Sequence, residues 1–218
     1  MKRIKKITVG FIALALVLTV GCGSKKEITL GETTDNVYTN EYFGLEAKIP
    51  EGWITLDKET IDELTKAGAE LVANGDENKK EQLEKITEEK TLYFIMANKY
   101  ELGTIELNPG VIVNSEKVSL LQGINSSEKY LQIAADQLKA IEAIPYTVSD
   151  EITTETINDV EWSFLETSID LGNGNVFIQK YYSVLRDGYI VNAIVTYTEE
   201  DGKVEAEQFI KDLKINKK

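Results

Sequence analysis

Residues 160–198 read VEWSFLETSIDLGNGNVFIQKYYSVLRDGYIVNAIVTYT. Apolar and polar side chains alternate in three runs, near 160–170, 175–185 and 189–198, which is the period of a strand with one face against a core. Asn173-Gly174 and Asp187-Gly188 separate the runs. Such pairs between alternating segments are the strongest local hairpin signal, because both residues accept a positive φ. A fourth strand near 146–156 joins the first through Asn158-Asp159. The stretch therefore predicts an antiparallel meander.

Upstream, Asn125 followed three residues later by Glu128 is a helix start signal, and Tyr130, Leu131, Ala134, Ala135, Leu138 and Ile141 mark a buried stripe reaching about Ala143. Pro145 stops that helix. The run Thr91 to Ala97 (TLYFIMA) is apolar almost throughout, as expected of a strand covered on both faces and placed at the sheet centre. Val111-Ile112-Val113 reads as a second strand after the Asn108-Pro109-Gly110 turn, with a hairpin-like return between the two. Asp57 can cap a helix whose Ile61, Leu64, Gly68, Leu71 and Val72 recur at helical spacing, and Thr60 with Glu63 offers a second capping box. Asn74-Gly75-Asp76 ends it. The charged segment from there to Glu89 carries only Leu83 and Ile86 at i,i+3 and reads as a solvated helix or a long excursion.

At the front of the domain Phe43, Leu45, Ala47 and Ile49 alternate with Gly44, Glu46 and Lys48, and Pro50-Glu51-Gly52 turns the chain into Trp53. At its end Asp201-Gly202 precedes a helix whose Val204, Phe209, Ile210 and Leu213 are expected to face the sheet. Three helical segments around a mostly antiparallel sheet define an α+β fold, an α-β-α sandwich, in one domain over residues 38–218.

Residues 1–21 (MKRIKKITVGFIALALVLTVG) are a basic stretch followed by an uncharged run from Ile7 to Val20, signal-peptide length and short of the roughly 20 residues a spanning helix needs. The string Leu18-Thr19-Val20-Gly21-Cys22 resembles the bacterial lipobox, with Thr19 in place of the usual leucine. That resemblance implies a diacylglyceryl group on Cys22 and a mature chain beginning there, anchored in the lipid bilayer. Two acyl chains meet the requirement for stable anchoring. Cys22 is the single cysteine, so no internal disulfide forms and packing alone must stabilise the domain. Residues 22–37 read as a flexible tether, with an ordered strand possible from Val37 to Thr39.

The string Tyr42-Phe43-Gly44-Leu45, followed by Ile49-Pro50-Glu51-Gly52-Trp53, resembles the opening of the PsbP-like domains of small Gram-positive surface lipoproteins. The resemblance implies the same sandwich, with Trp53 plugging one end of the core and Pro50 and Gly52 setting the turn. It also implies a non-enzymatic scaffold or binding module.

The chain contains no histidine, which removes Ser-His-Asp and Cys-His nucleophiles and imidazole-bound metals. Its net charge is −13, and loss of Lys2, Arg3, Lys5 and Lys6 with the leader makes it −17, so a nucleic acid is not an expected partner. Ser126-x-x-Lys129 has the spacing of serine acyl-enzymes, yet neither companion motif occurs and a helix start explains it better. Carboxylates gather at Glu88-Glu89, Asp150-Glu151 and Glu199-Glu200-Asp201, where wet surface is the plainer reading than calcium or acid-base work. Asp170-x-Gly172-Asn173-Gly174-Asn175 resembles a calcium loop less than a hairpin turn. Of Tyr181, Tyr182, Tyr189 and Tyr197, alternation allows only one of the first two to join any aromatic patch for a sugar or peptide. No cofactor, metal or catalytic residue is expected. The expected function is that of a membrane-anchored extracytoplasmic interaction module engaging an envelope protein; the alternative is a small-ligand binder, for sugar or peptide, with a pocket between sheet and helix.

Overall fold

The computed structural model describes residues 28–118, 123–170, 172 and 175–216; the leader, Cys22 and the Asn173-Gly174 turn lie outside them. Glu32–Thr34 (β1), Val37–Asn40 (β2) and Leu45–Lys48 (β3) form a small antiparallel sheet in that order. Asp35 and Asn36, at φ 49° and 61°, make the tight turn between β1 and β2. The tether expected to run to residue 37 is thus replaced by a hairpin over its last residues. Every β1 side chain is exposed, so no apolar alternation announces the strand. Tyr38 secures the approach to it, its phenol donating to the Leu30 carbonyl at 2.6 Å.

The larger sheet is built from Ile54–Thr55 (β4), Thr91–Asn98 (β5), Gly110–Lys117 (β6), Tyr146–Val148 (β7), Thr153–Ile157 (β8), Val160–Asp170 (β9), Val176–Arg186 (β10) and Tyr189–Thr198 (β11). Its order is β4-β5-β6-β11-β10-β9-β7, with β8 sharing the outer side of β9, and every pairing is antiparallel. The meander stands as expected, although the segment 146–156 divides into β7 and β8. β5 is not the sheet centre: it lies second from an edge, and β11 holds the middle. A continuous apolar run reports cover on both faces, and β5 owes its cover to the small sheet on one side and helices on the other.

Lys58–Ala73 (α1) and Glu77–Lys90 (α2) form a helical hairpin, Ser127–Lys139 is α3 and Lys203–Asp212 is α4. Asp57 caps α1 by accepting from Thr60 N at 2.9 Å, and Asn74, at φ 49°, ends it. Ser126 rather than Asn125 caps α3. Four helices therefore flank the sheet among the described residues, the solvated-helix reading of 77–89 having been the correct one.

Strand alternation divides the interior into two cores. On one face Trp162, Tyr182, Val191, Val195 and Tyr197 pack with Phe209 and Ile210 of α4 and with Tyr38, Leu45 and Ala47 of the small sheet. On the other Ile112, Leu165, Ile169, Ile190 and Ile194 pack under Leu131, Ala134 and Leu138 of α3. Helices on both faces make this the α-β-α sandwich of an α+β fold. Trp53 lies at the rim of the first core, after a turn in which Gly52 adopts φ 78° and Trp53 N donates to the Pro50 carbonyl at 3.2 Å. Val204 departs from expectation: it is 77% exposed, because the buried stripe of α4 runs through Ala206, Phe209 and Ile210.

Candidate binding groove

The amphipathic stripe of α1 is not fully consumed by packing. Ile61, Leu64, Leu71 and Val72 are only half-buried, and Ala73 is the buried residue of the helix. The reason is positional: α1 follows a two-residue β4 at the sheet edge, so it leans on α2 and on the rim of the second core instead of lying over the sheet. The space left between the helical hairpin and β5 is a groove of about 520 Å³. Ile61, Asp62 and Thr65 of α1 form one wall, Glu84, Thr87 and Glu88 of α2 the other, and Thr91, Leu92 and Tyr93 the floor, with Leu30 at the lip.

Polar groups are distributed unevenly in it. Lys58 pairs with Asp62 at 2.6 Å, and that carboxylate holds the ammonium above its ordinary pKa. The Tyr93 phenol is driven well above the ordinary value, by burial first and by the Glu116 carboxylate second, so it stays neutral. Thr91 is 8% exposed, and its hydroxyl has no hydrogen-bond partner. A buried hydroxyl left in that state costs roughly 1–3 kcal/mol until something bonds to it.

Behind the floor, a row of polar residues crosses the sheet in direct register: Tyr93, Asn114, Asn192, Ser183 and Ser163. The Ser183 hydroxyl donates to Asn192 Oδ1 at 2.6 Å, and Asn192 Nδ2 donates to Asn114 Oδ1 at 2.9 Å and to the Tyr130 hydroxyl at 3.2 Å. Tyr130, from α3, donates in turn to Glu116 Oε1 at 2.8 Å. Ser127 and Ser163 share a hydrogen bond at 2.8 Å at the far end. These hydrogen bonds bind α3 to the sheet, while Asn114 Nδ2 is left buried without a partner; isolated polar residues in separate strands become a row only once register is known.

The residues singled out by spacing are placed elsewhere. The Ser126 hydroxyl accepts from Lys129 N at 3.1 Å, while Lys129 Nζ turns to Gln132, so the Ser-x-x-Lys spacing is a helix cap. Glu88 reaches the groove, but Glu89 pairs with Lys85, Asp150 with Lys139, and Glu199 with Lys203. Asp201 and Glu205 together hold Lys99, at 2.8 and 2.7 Å. Asp170 Oδ1 accepts from Gly172 N at 2.7 Å, an Asx turn. Among the described residues no three His, Cys, Asp or Glu side chains gather to hold a metal ion. Tyr181 lies in the second core and Tyr182, Tyr189 and Tyr197 in the first, all buried, so they form no surface platform. Cys22 lies outside the described residues, and no described helix is long and apolar enough to cross a membrane.

No protein family and no curated protein matches the chain. Among solved structures it is similar to LpqN, involved in cell envelope biogenesis of Mycobacterium tuberculosis, at 13% identity and a TM-score of 0.44, over 79% of this chain and 83% of that one. It is also similar to cyanobacterial PsbP (CyanoP) from Synechocystis sp. PCC 6803, at 10% identity and a TM-score of 0.48, over 90% of this chain and 98% of that one.

Proposed function

We propose that this chain is an extracytoplasmic lipoprotein, anchored in the bilayer through diacylglyceryl-Cys22, whose folded domain is a non-enzymatic module that binds an envelope protein. The groove between the α1–α2 hairpin and β5 carries this reading: it joins half-buried apolar walls to a buried hydroxyl with no partner. Such a combination is a recognition surface. Of the polar residues that spacing nominated for chemistry, Ser126 is engaged in a cap and Glu89, Asp150 and Glu199 in ion pairs, while Glu88 lines the groove. The leader and the Gly21-Cys22 string supply the anchor.

Two measurements test it. Mass analysis of the native product is expected to find residues 1–21 removed and Cys22 lipid-modified; an unmodified thiol or a retained leader overturns the anchor. Crosslinking on intact cells from a photoreactive residue at position 61 is expected to capture a protein, and the Ile61→Arg variant is expected to lose it. Equal capture by that variant overturns the groove as the binding site.

One observation favours a small ligand as the second reading: a volume of about 520 Å³ falls within the range of small-molecule pockets. Thermal-shift screening would then find a compound whose stabilisation Ile61→Arg abolishes.

A further inference from the structure

The outer side of β5 is only partly covered. β4 pairs with it at two positions, Ile54 with Asn98 and Thr55 with Ala97, and Leu56 N adds a bond to the Met96 carbonyl at 2.8 Å. Thr91 N is taken by the end of α2, donating to the Thr87 carbonyl. Between these limits, from Leu92 to Ile95, no strand among the described residues lies on that side, and a β-bulge at Phe94 shifts the register of β5 against β6 between Tyr93 and Ile95. A sheet edge of this kind presents backbone donors and acceptors to any extended chain that reaches it.

The groove lies along that edge. Thr91 and Tyr93 stand opposite Glu116 and Asn114 and point to one face of the sheet; Leu92, between them, points to the other. All three line the same groove. Side chains from both faces of one strand can share a cavity only where the cavity follows the strand's edge. The unpartnered Thr91 hydroxyl stands at its end.

Given the binding reading above, on which this rests, we infer that the groove takes an extended segment of a partner protein, which adds as a strand to β5 at Leu92–Ile95 in continuation of β4 and carries alternating apolar and basic side chains. Four residues in a strand span about 13 Å. Ile61, Leu92 and Leu30 supply apolar contacts for one set of side chains. Of the charged residues lining the groove, Lys58 is engaged by Asp62, and Glu84 and Glu88, one helical turn apart on the α2 wall, outnumber the remaining Lys66 of α1 by one. That wall, on a chain of net charge −13, favours a basic partner and disfavours a second copy of itself. Main-chain bonds to the edge would supply affinity and the alternating side chains selectivity.

Hydrogen exchange of the full chain, purified from a bacterial host and held in phosphatidylcholine nanodiscs, provides the test. The probes are an octapeptide alternating valine and lysine, the same peptide N-methylated at alternate amides, a valine-glutamate counterpart, and dodecanoate. The valine-lysine peptide is expected to slow exchange at residues 92–95 with a Kd below about 1 mM, and N-methylation to weaken it by about tenfold. The glutamate peptide is expected to bind more weakly, and Thr91→Val, which keeps the shape of the side chain, to lower affinity without lowering the melting temperature. Equal binding of the N-methylated peptide, or dodecanoate protecting the groove while all three peptides stay silent, overturns strand addition but leaves the groove a binding site. If no probe changes exchange along the groove at about 1 mM, strand addition is overturned; if Ile61→Arg also fails to alter crosslinking, the proposed binding function falls with it.

Discussion

Beneath α3, the Tyr130 hydroxyl meets Glu116 Oε1 at 2.8 Å while accepting from Asn192 at 3.2 Å, so that one phenol joins a helix to the two central strands β6 and β11. Glu116 is only 5% exposed. Replacing Tyr130 with Phe removes a donor from a buried carboxylate and an acceptor from a buried amide. The expected cost is about 2 kcal/mol in equilibrium urea unfolding with an unchanged m-value; wild-type stability in that variant would show that the row contributes nothing net.

Alkaline pH is expected to unfold the protein. Burial raises the phenols of Tyr38, Tyr130, Tyr181 and Tyr182 above the ordinary value of 10.0, and Tyr38 is pushed up to about 12. Above pH 10 the unfolded chain loses phenolic protons that the folded chain keeps. Stability is therefore whole below that point and falls as pH climbs, over the window from about 10 to 12 for Tyr38. Each retained proton contributes a slope of about 1.4 kcal/mol per pH unit. Urea titrations at stepped pH, paired with phenolate absorbance, would expose a flat profile as contrary evidence.

Lys99 anchors the loop after β5 to the start of α4, with Asp201 and Glu205 as its two partners. Their hydrogen bonds raise the Lys99 pKa, and Lys99 lowers that of Glu205. Lys99→Met leaves two neighbouring carboxylates without their cation, at a cost of about 1 kcal/mol near pH 7, a value tempered by their partial exposure. The Glu205 contribution to wild-type stability disappears as pH falls through its lowered folded value, so the gap between wild type and variant is expected to narrow in acid. A gap independent of pH would assign the loss to packing.

The helix-cap assignment of Ser126 is separable from any chemistry. Ser126→Ala is expected to lower stability by about 1 kcal/mol. Lys129→Ala is expected to leave it nearly unchanged, because Ser126 receives the backbone N–H of residue 129 and not its ammonium. Comparable losses in both variants, read by thermal unfolding, would contradict that assignment.

Gly202 precedes α4 at φ 78°, and a Cβ there would stand 2.3 Å from Pro109 Cβ. Gly202→Ala thus meets both a strained backbone and a clash with the β5–β6 loop. A loss of about 2 kcal/mol or more is expected, measured by urea unfolding. A neutral outcome would mean that Pro109 can move aside freely.

Much of the fold was legible because its signals are local. Asn158-Asp159 and Asp187-Gly188 do turn with positive φ, and Asp57 caps the helix it precedes. Local chemistry cannot report which strand ends up in the middle, however. Thr91–Ala97 looks central by hydrophobicity, while β11 is central by pairing. β1 escaped notice because nothing on it is buried, and Val204 was misplaced because an apolar residue one position off the stripe of a short helix looks like part of it. A pocket between sheet and helix is an alternative the sequence allows, but its residues are not legible there. Its floor, walls and lip come from Leu30, α1, α2 and β5, and only the closed fold brings them together.

The position of β11 also governs when the molecule can assemble. Both of its neighbours, β6 and β10, are translated before it, and neither pairs with the other. Until Tyr189–Thr198 has left the ribosome, β4–β6 and β7–β10 remain two unjoined pieces, with β6 and β10 each lacking the partner between them. Many native contacts can therefore form only once β11 is complete, and topology of this kind favours slow folding for the size of the chain.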